Sequence, residues 1–392
     1  MKFIHTSDWH IGQDFFRYSR EEEHLFFFQQ LRAIISQEKP DALIVSGDVF
    51  HTAMPSAAAQ KVYTDSIVEI HEANPNMKII VTAGNHDSYT RLESAEELWK
   101  LANVKVIGNA ENHENYDSIE KKHIIPLKDG EGNTTAYFIA IPYIRESNYE
   151  LFKEAQEIVR KQNKENAPVV LMGHLAVSGA DIQGHDENSI GGMDYVEIDK
   201  MGDYYDYLAL GHIHHPQFIR GRKNARYSGS PIQINFDEMY PHSVTIVEMG
   251  HHGEEISAKE VEIKNEYQFL TIPSEPKPFE EALKELATSE IPDKSYVCLN
   301  VRVKDFVPAD AEAQIQNALK GRSCRFCKIK ISKEEVKREK EQRILDTEEV
   351  KRMAPVDLAN LYFKETLGED LDEETIKMIQ EITDEIKQEE RR

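Results

Sequence analysis

The chain has 392 residues, of which 40% are hydrophobic and 9% aromatic, so it is long enough for two or three domains and is not a disordered protein. Its net charge of −23 argues against a protein that coats nucleic acid with a basic surface. The sequence has no apolar run long enough for a membrane span, turns polar by Thr6, and contains three cysteines, too few for a disulfide framework. These features predict a protein of the reducing cytoplasm.

Short runs rich in isoleucine, valine and leucine alternate with helical patterns over the first two-thirds of the chain. Apolar residues spaced three and four apart predict helices over 22–37, 56–71 and 93–101. Strands separated by helices indicate an α/β domain, which we place at residues 1–264. Its predicted strands are Lys2–Thr6, Ala42–Ser46, Lys78–Ala83, Ala136–Pro142, Val169–Met172 and Tyr207–Leu210, with Ser243–Glu248 and Ile256–Ile263 as later additions.

A second, smaller pattern begins at Tyr267 and predicts a β-α-β-α-β domain over 265–332. Its predicted elements are strand Gln268–Ile272, helix Phe279–Leu286, strand Tyr296–Val303, helix Ala309–Leu319 and strand Arg325–Ile331.

Residues 333–392 have a different composition. Dense mixed charge over 333–343 is typical of a solvated linker. A helix with Pro355 in its first turn follows, and then a second helix with an apolar stripe of Ile376, Ile379, Ile382 and Ile386. Because two short helices cannot bury both of their stripes against each other, this tail is predicted to dock on another surface.

Five apolar runs of the first domain end in polar side chains of the same kinds. In α/β sheets, ligands collect beyond the carboxyl ends of the strands, so these side chains are expected at one rim. A glycine at 47, 84, 173 or 211 directly precedes four of the groups, as a sharp turn or a close backbone approach requires. The residues are Asp8 and His10; Asp48 and His51; Asn85, His86 and Asp87; His174; and His212 and His214.

This set of side chains suits two metal ions. Imidazole and oxygen ligands without thiolate favour manganese, iron or zinc. Asp48, from a central strand, is the natural carboxylate to bridge the ions. Two ions roughly 3.5–4 Å apart can hold the attacking and leaving oxygens of a phosphoryl displacement. The pattern therefore predicts hydrolysis of a phosphate ester.

The motifs DxH, GDxxH, GNHD, GH and GHxH, in this order, resemble the calcineurin-type metallophosphoesterases. GDVFH at 47–51 and HDSYTRLES at 86–94 are similar to the SbcD family of bacterial DNA-repair nuclease subunits. The resemblance implies a sandwich of two β-sheets flanked by helices, a small α+β capping domain and a C-terminal helical tail.

The resemblance also implies two ligand sets that share one carboxylate. The first ion takes Asp8, His10, Asp48 and His214, and the second takes Asp48, Asn85, His174 and His212. His86 matches the position that protonates the leaving oxygen, with Asp87 able to orient or polarise its ring. His51 matches a second histidine that faces the phosphate.

The family further implies a nuclease subunit that acts in DNA repair, recombination and replication. Its cofactors are two divalent ions, with Mn²⁺ favoured and Mg²⁺, Fe²⁺ or Zn²⁺ as alternatives. Its activities are a 3′-to-5′ exonuclease on duplex ends and an endonuclease on hairpins and single strands. Its partners are DNA, a second copy of the chain, and an SbcC-like ABC/SMC-type ATPase bound through residues 345–392, which together form a heterotetramer.

Two other functions remain as alternatives. One is a calcineurin-like phosphoesterase for nucleotides or phosphoproteins, although the protein phosphatases of this superfamily generally carry GDxVDRG and GNHE, where this chain has GDVFH and GNHD. The other is a scaffold that mainly tethers DNA ends, which the complete set of ligands opposes.

Overall fold

The computed structural model of the chain describes residues 1–110, 116–144, 149–182, 195–333, 355–367, 371–372, 375–380 and 383. The contacts divide the chain into two units, Met1–Glu334 and Glu335–Arg392. Within the described ranges, no helix has both the length and the apolar character needed to cross a membrane.

The elements are numbered here in chain order. The strands are β1 (Lys2–Thr6), β2 (Asp14–Phe15), β3 (Tyr18–Ser19), β4 (Ala42–Ser46), β5 (Lys78–Thr82), β6 (Val104–Ile107), β7 (Ile124–Lys128), β8 (Thr134–Ala140), β9 (Val169–His174), β10 (Tyr207–Gly211), β11 (Gln217–Phe218), β12 (Ala225–Tyr227), β13 (Ser243–Glu248), β14 (Ser257–Glu262), β15 (Gln268–Pro278), β16 (Ser295–Val303) and β17 (Arg325–Lys333). The helices are α1 (Glu21–Glu38), α2 (Ala57–Ala73), α3 (Tyr89–Glu93), α4 (Glu96–Trp99), α5 (Tyr116–His123), α6 (Glu150–Gln162), α7 (Phe279–Thr288), α8 (Ala311–Ala318) and α9 (Pro355–Leu367). Short 3₁₀ turns lie at Lys100–Ala102 and Ile198–Met201.

Two six-stranded sheets form the first part of unit 1. Their strand orders are β14-β13-β1-β4-β5-β6 and β11-β12-β10-β9-β8-β7. Four strands of each sheet run parallel: β1, β4, β5 and β6 in the first sheet, and β8, β9, β10 and β12 in the second. Phe3 and Ile44 of the first sheet share a buried core with Phe138, Met172 and Tyr207 of the second. The two sheets therefore pack face to face.

Helices cover the outer face of each sheet. Phe27 and Leu31 of α1 and Ile67 of α2 are buried with the apolar side chains of β4 and β5. Phe152 and Val159 of α6 are buried with those of β9 and β10. The α/β sandwich expected from the sequence is confirmed, and its layers direct the carboxyl ends of the parallel strands toward one edge.

A three-stranded parallel sheet, β15-β16-β17, follows in the same unit and has a core of its own. A second apolar cluster joins this sheet to the sandwich. Phe15 of β2 packs there against Phe269 and Tyr296, at ring-centroid distances of 5.0 and 4.9 Å. The buried Tyr296 hydroxyl also donates to Glu23 Oε1 of α1 at 2.6 Å. The division of domains near residue 264 remains a prediction.

One predicted helix differs in the structure. In place of a single helix over 93–101 there are α3, α4 and the 3₁₀ turn Lys100–Ala102. Ser94 follows the last residue of α3, and its Oγ donates to the Arg91 carbonyl at 2.6 Å. A serine side chain that bonds to the backbone in this way competes with helix continuation.

In unit 2, α9 begins at Pro355 as predicted, and residues 375–380 are helical. Asp372 caps this second helix, since its Oδ1 accepts from Thr375 N at 2.8 Å. Apart from Lys333, the charged segment 333–343 lies outside the described residues, as do Ile382 and Ile386.

Candidate metal centre

The backbone is strained where the parallel strands end. Four residues with side chains adopt positive φ angles there: Asp8 (54°), His10 (46°), Asp48 (49°) and His212 (98°). Such conformations are unfavourable for residues other than glycine and persist where the surrounding structure enforces them, often at functional sites. All four are residues that the sequence assigns to metal ligation.

Two glycines permit the close approach of the loops. A Cβ atom at Gly211 would lie 1.9 Å from the Ser46 carbonyl oxygen, and one at Gly84 would lie 2.1 Å from Asp48 Oδ1. Neither position has room for a side chain. Glycine at 211 lets the end of β10 in the second sheet approach the end of β4 in the first, and glycine at 84 lets the loop after β5 approach the loop after β4.

One group of potential ligands consists of Asp8, His10 and His214, whose ligand atoms all lie within 4.8 Å of one another. The Nε2 atoms of His10 and His214 are 3.3 Å apart. The Asp8 carboxylate accepts from Ser7 Oγ at 2.5 Å and from the backbone N–H of His212 at 3.0 Å. These bonds fix the carboxylate beside the two imidazoles.

A second group consists of Asp48, His174 and His212. The Asn85 Oδ1 lies 3.0 Å from both His174 Nε2 and His212 Nδ1, so Asn85 joins this group. His174 Nδ1 donates to the Ser46 carbonyl at 2.8 Å, which leaves Nε2 for a ligand.

Asp48 lies between the two groups. Its Oδ2 is 3.3 Å from His174 Nε2 in one group and 3.7 Å from His10 Nε2 in the other. This position is the one that a bridging carboxylate requires.

His51 and His86 lie beside the first group. Their rings stack at a centroid distance of 5.7 Å, and both are close to His10. His86 Nδ1 donates to the carbonyl oxygen of His51 at 2.8 Å. The His86 backbone N–H donates to Asp48 Oδ1 at 2.9 Å. Two hydrogen bonds thus orient His86, one from its backbone to Asp48 and one from its ring to the loop that contains His51.

The Asp87 carboxylate lies among backbone groups of two loops. Its carboxylate accepts three backbone N–H groups, from Gly84 at 2.8 Å, Phe50 at 2.9 Å and Val49 at 3.0 Å. The His86 ring donates to the His51 carbonyl. Asp87 therefore connects the loops after β4 and β5, and its expected role toward the His86 ring stays a prediction.

Burial and mutual charge shape the ionisation of the site. Burial raises the pKa of Asp8 and lowers that of His10 well below its usual value. Although Asp48 is also buried, the neighbouring His174 holds its pKa well below the ordinary range, and Asp48 in turn raises the pKa of His174 to about 9. Buried carboxylates facing imidazole nitrogens and a carboxamide oxygen form a donor set that fits divalent cations.

Two supporting residues were missed by the sequence analysis. Ser7 bonds to Asp8, and the buried Glu238 accepts from His214 Nδ1 at 3.1 Å. Glu238 lies 24 residues after His214 in a loop without a recognisable motif, so no pattern in the sequence pointed to it. His215, the residue after His214, stacks on Tyr240 at a ring-centroid distance of 4.2 Å, and its Nδ1 is 3.4 Å from the Asp181 carboxylate.

Residues 1–216 match the family model described as calcineurin-like phosphoesterase, which is more than half of the chain. The chain therefore belongs to the calcineurin-like phosphoesterase family. Residues 268–366 match a second model, SbcD_C, described as type 5 capsule protein repressor C-terminal domain.

Three relatives narrow the assignment within this family, and each is named as the SbcD subunit of the nuclease SbcCD. The protein from Bacillus subtilis is 29% identical and aligns over 99% of both chains. That from Rhodobacter capsulatus is 29% identical over 75% of this chain and 77% of its own. That from Escherichia coli is 30% identical over 62% of this chain and 65% of its own. The resemblance to the SbcD family is confirmed, and the chain is a phosphoesterase of the SbcD type.

Proposed function

We propose that this chain is the nuclease subunit of an SbcCD-type complex and hydrolyses phosphodiester bonds of DNA with two divalent metal ions. The observation that carries the proposal is the convergence of seven potential ligands from five strand ends, with Asp48 between the two groups and His86 beside them. The name shared by the relatives supports DNA as the substrate.

The two groups of side chains suit two ions that share Asp48. Asp8, His10 and His214 would hold one ion with Asp48, while Asn85, His174 and His212 would hold the other. When bound, such ions polarise the phosphate and lower the pKa of a water molecule that attacks it. We favour Mn²⁺, with Mg²⁺, Fe²⁺ and Zn²⁺ as alternatives, because the ligands are imidazoles and oxygens.

His86 would supply the proton for the leaving oxygen. Its Nδ1 is engaged by the His51 carbonyl, so Nε2 is the ring nitrogen that can exchange a proton with the substrate. His51 stacks on this ring and would face the same phosphate.

Unit 2 supports a protein partner. On α9, the side chains of Leu358, Tyr362 and Phe363 are exposed to solvent, at 37%, 67% and 39%. Exposed apolar residues on one helix are typical of a helix that docks into a groove of another protein. We propose that residues 345–392 bind an SbcC-like ATPase, and that two copies of each chain form a heterotetramer in the cytoplasm.

The cleavage pattern is part of the same proposal. The complex would act as a 3′-to-5′ exonuclease on duplex ends and as an endonuclease on hairpins and single strands, in DNA repair, recombination and replication. A phosphoesterase for nucleotides or phosphoproteins is less well supported, because the relatives are named as nucleases. A scaffold that only tethers DNA is less well supported because the potential ligands of both ions are present.

The test is cleavage of end-labelled linear and hairpin DNA by the full chain in a Mn²⁺ titration, with and without the ATPase and ATP. We expect no cleavage in chelator and cleavage that rises with Mn²⁺. A phosphopeptide and a nucleoside monophosphate serve as competing substrates. Faster turnover of either one, with DNA left intact, would contradict the proposal.

A further inference from the structure

The loop between β12 and β13 contacts the proposed metal centre through one buried carboxylate. Glu238 has its side chain fully buried. Its Oε1 accepts from His214 Nδ1 at 3.1 Å, and its Oε2 accepts from Ile234 N at 2.7 Å. A carboxylate is costly to bury unless it is paired. The hydrogen bond from the His214 ring offsets part of this cost for Glu238.

This contact determines which nitrogen of His214 can bind a ligand. A carboxylate that accepts a hydrogen bond from Nδ1 fixes the tautomer and the orientation of the ring. It also makes Nε2 a more basic ligand for a metal ion. Nε2 of His214 then faces His10 Nε2, 3.3 Å away. His174 has its Nδ1 on the Ser46 carbonyl instead, so the two proposed ligands are oriented by different kinds of partner.

The same loop is also held by the three-stranded sheet. Phe236, two residues before Glu238, is buried and packs against Phe269 of β15 at 5.3 Å and against Phe15 at 5.5 Å. The Asp237 carboxylate is 3.2 Å from Lys330 Nζ of β17. The loop therefore contacts the sheet on one side and a proposed metal ligand on the other.

We propose that Glu238 is a positioning residue for His214, and that the three-stranded sheet holds Glu238 in place through Phe236. The inference rests on the proposed function. It adds that the packing of the three-stranded sheet influences the affinity of the chain for one of the two ions. Loss of Glu238 weakens binding at the ion site of Asp8, His10 and His214 and leaves the other site intact.

The experiment is calorimetric titration of the full, metal-free chain with Mn²⁺, with a thermal unfolding curve for each variant. The wild type is expected to bind two ions. Glu238→Gln and Glu238→Ala should bind one ion as the wild type does and the other about 10–100-fold more weakly, the usual effect of losing a partner of a metal-binding histidine. Excess Mn²⁺ should restore much of the phosphodiesterase rate.

Asp206→Asn is a matched control. Like Glu238, Asp206 is a buried carboxylate that accepts a hydrogen bond from a histidine, in this case from His252 Nδ1 at 2.8 Å. Asp206 differs in position, because it precedes β10 whereas His212 follows the same strand. This variant can lose stability, yet it should bind both ions with wild-type affinity. A weakening in Asp206→Asn equal to that in Glu238→Gln would overturn the inference, as would two wild-type affinities in both Glu238 variants.

Phe236→Ala tests the contribution of the sheet. It should weaken the same ion while leaving Glu238 itself unchanged. A variant that is less stable but binds both ions normally would overturn that half of the inference. A wild-type chain that binds fewer than two ions would instead refute the metal centre, and thus the proposed function.

Discussion

Replacing His86 by glutamine tests whether this ring carries a proton during the reaction. The His86 ring lies beside His10, at a centroid distance of 5.0 Å, but the hydrogen bond of His86 to Asp48 is made by its backbone N–H, at 2.9 Å. The substitution removes the ring and its bond to the His51 carbonyl but leaves that backbone contact. We therefore expect His86→Gln to bind both ions.

The size of the effect follows from the role. A positioned general acid typically contributes about 10²–10⁴-fold to the rate, which corresponds to about 3–5 kcal/mol in the activation barrier. The loss should depend on the leaving group. The alkoxide that leaves in DNA hydrolysis needs a proton, whereas p-nitrophenolate leaves readily without one.

The assay compares two substrates under single-turnover conditions in saturating Mn²⁺. On DNA, His86→Gln should be slower by about 100-fold or more, and on the p-nitrophenyl ester of thymidine 5′-phosphate by less than about tenfold. His251→Gln, a change at an exposed histidine, is the control. Equal losses on both substrates, a rate on DNA within tenfold of the wild type, or loss of an ion would refute the reasoning.

Three further predictions concern the metal centre, stability and the tail. Asp48→Ala should bind neither ion, because this carboxylate lies within reach of both ligand groups, and metal analysis that finds two ions per chain would contradict the bridging role. Burial lowers the pKa of His5 to about 3, so the unfolded chain takes up a proton below pH 6.5 that the folded chain does not. Between pH 7 and pH 5 the free energy of unfolding of the wild type should thus fall by about 2 kcal/mol more than that of His5→Gln. Urea titrations at the two pH values measure this difference, and equal losses in the two proteins would contradict the prediction. Deletion of residues 345–392 should preserve Mn²⁺-dependent cleavage of short single-stranded DNA and abolish co-elution with the ATPase, and undiminished co-elution would overturn the assignment of the tail.

The positions of the candidate ligands could be predicted because they follow strands. A buried parallel strand has a strong apolar signal, and the residue after it must lie at the carboxyl edge of the sheet. Asp8, Asp48 and His174 illustrate this, since each follows or ends a strand whose bounds were predicted to within two residues. The sequence order of the motifs then defined the family.

Contacts that depend on loop conformation could not be predicted. Asp87 follows His86 directly, which suggested a contact between the two side chains, but backbone N–H groups of two loops satisfy its carboxylate. Glu238 reaches His214 only because the loop between β12 and β13 folds back, and no local pattern encodes that path. The break between α3 and α4 likewise falls where Ser94 Oγ donates to the Arg91 carbonyl.

The central claim is that Asp48 joins two metal ions in one site. A crystal of the full chain soaked in Mn²⁺, measured at the manganese absorption edge, tests it most directly. The account predicts two anomalous peaks roughly 3.5–4 Å apart, with the Asp48 carboxylate between them, the imidazole of His214 at one peak and that of His174 at the other. A single peak, or two peaks of which only one lies beside Asp48, would contradict it.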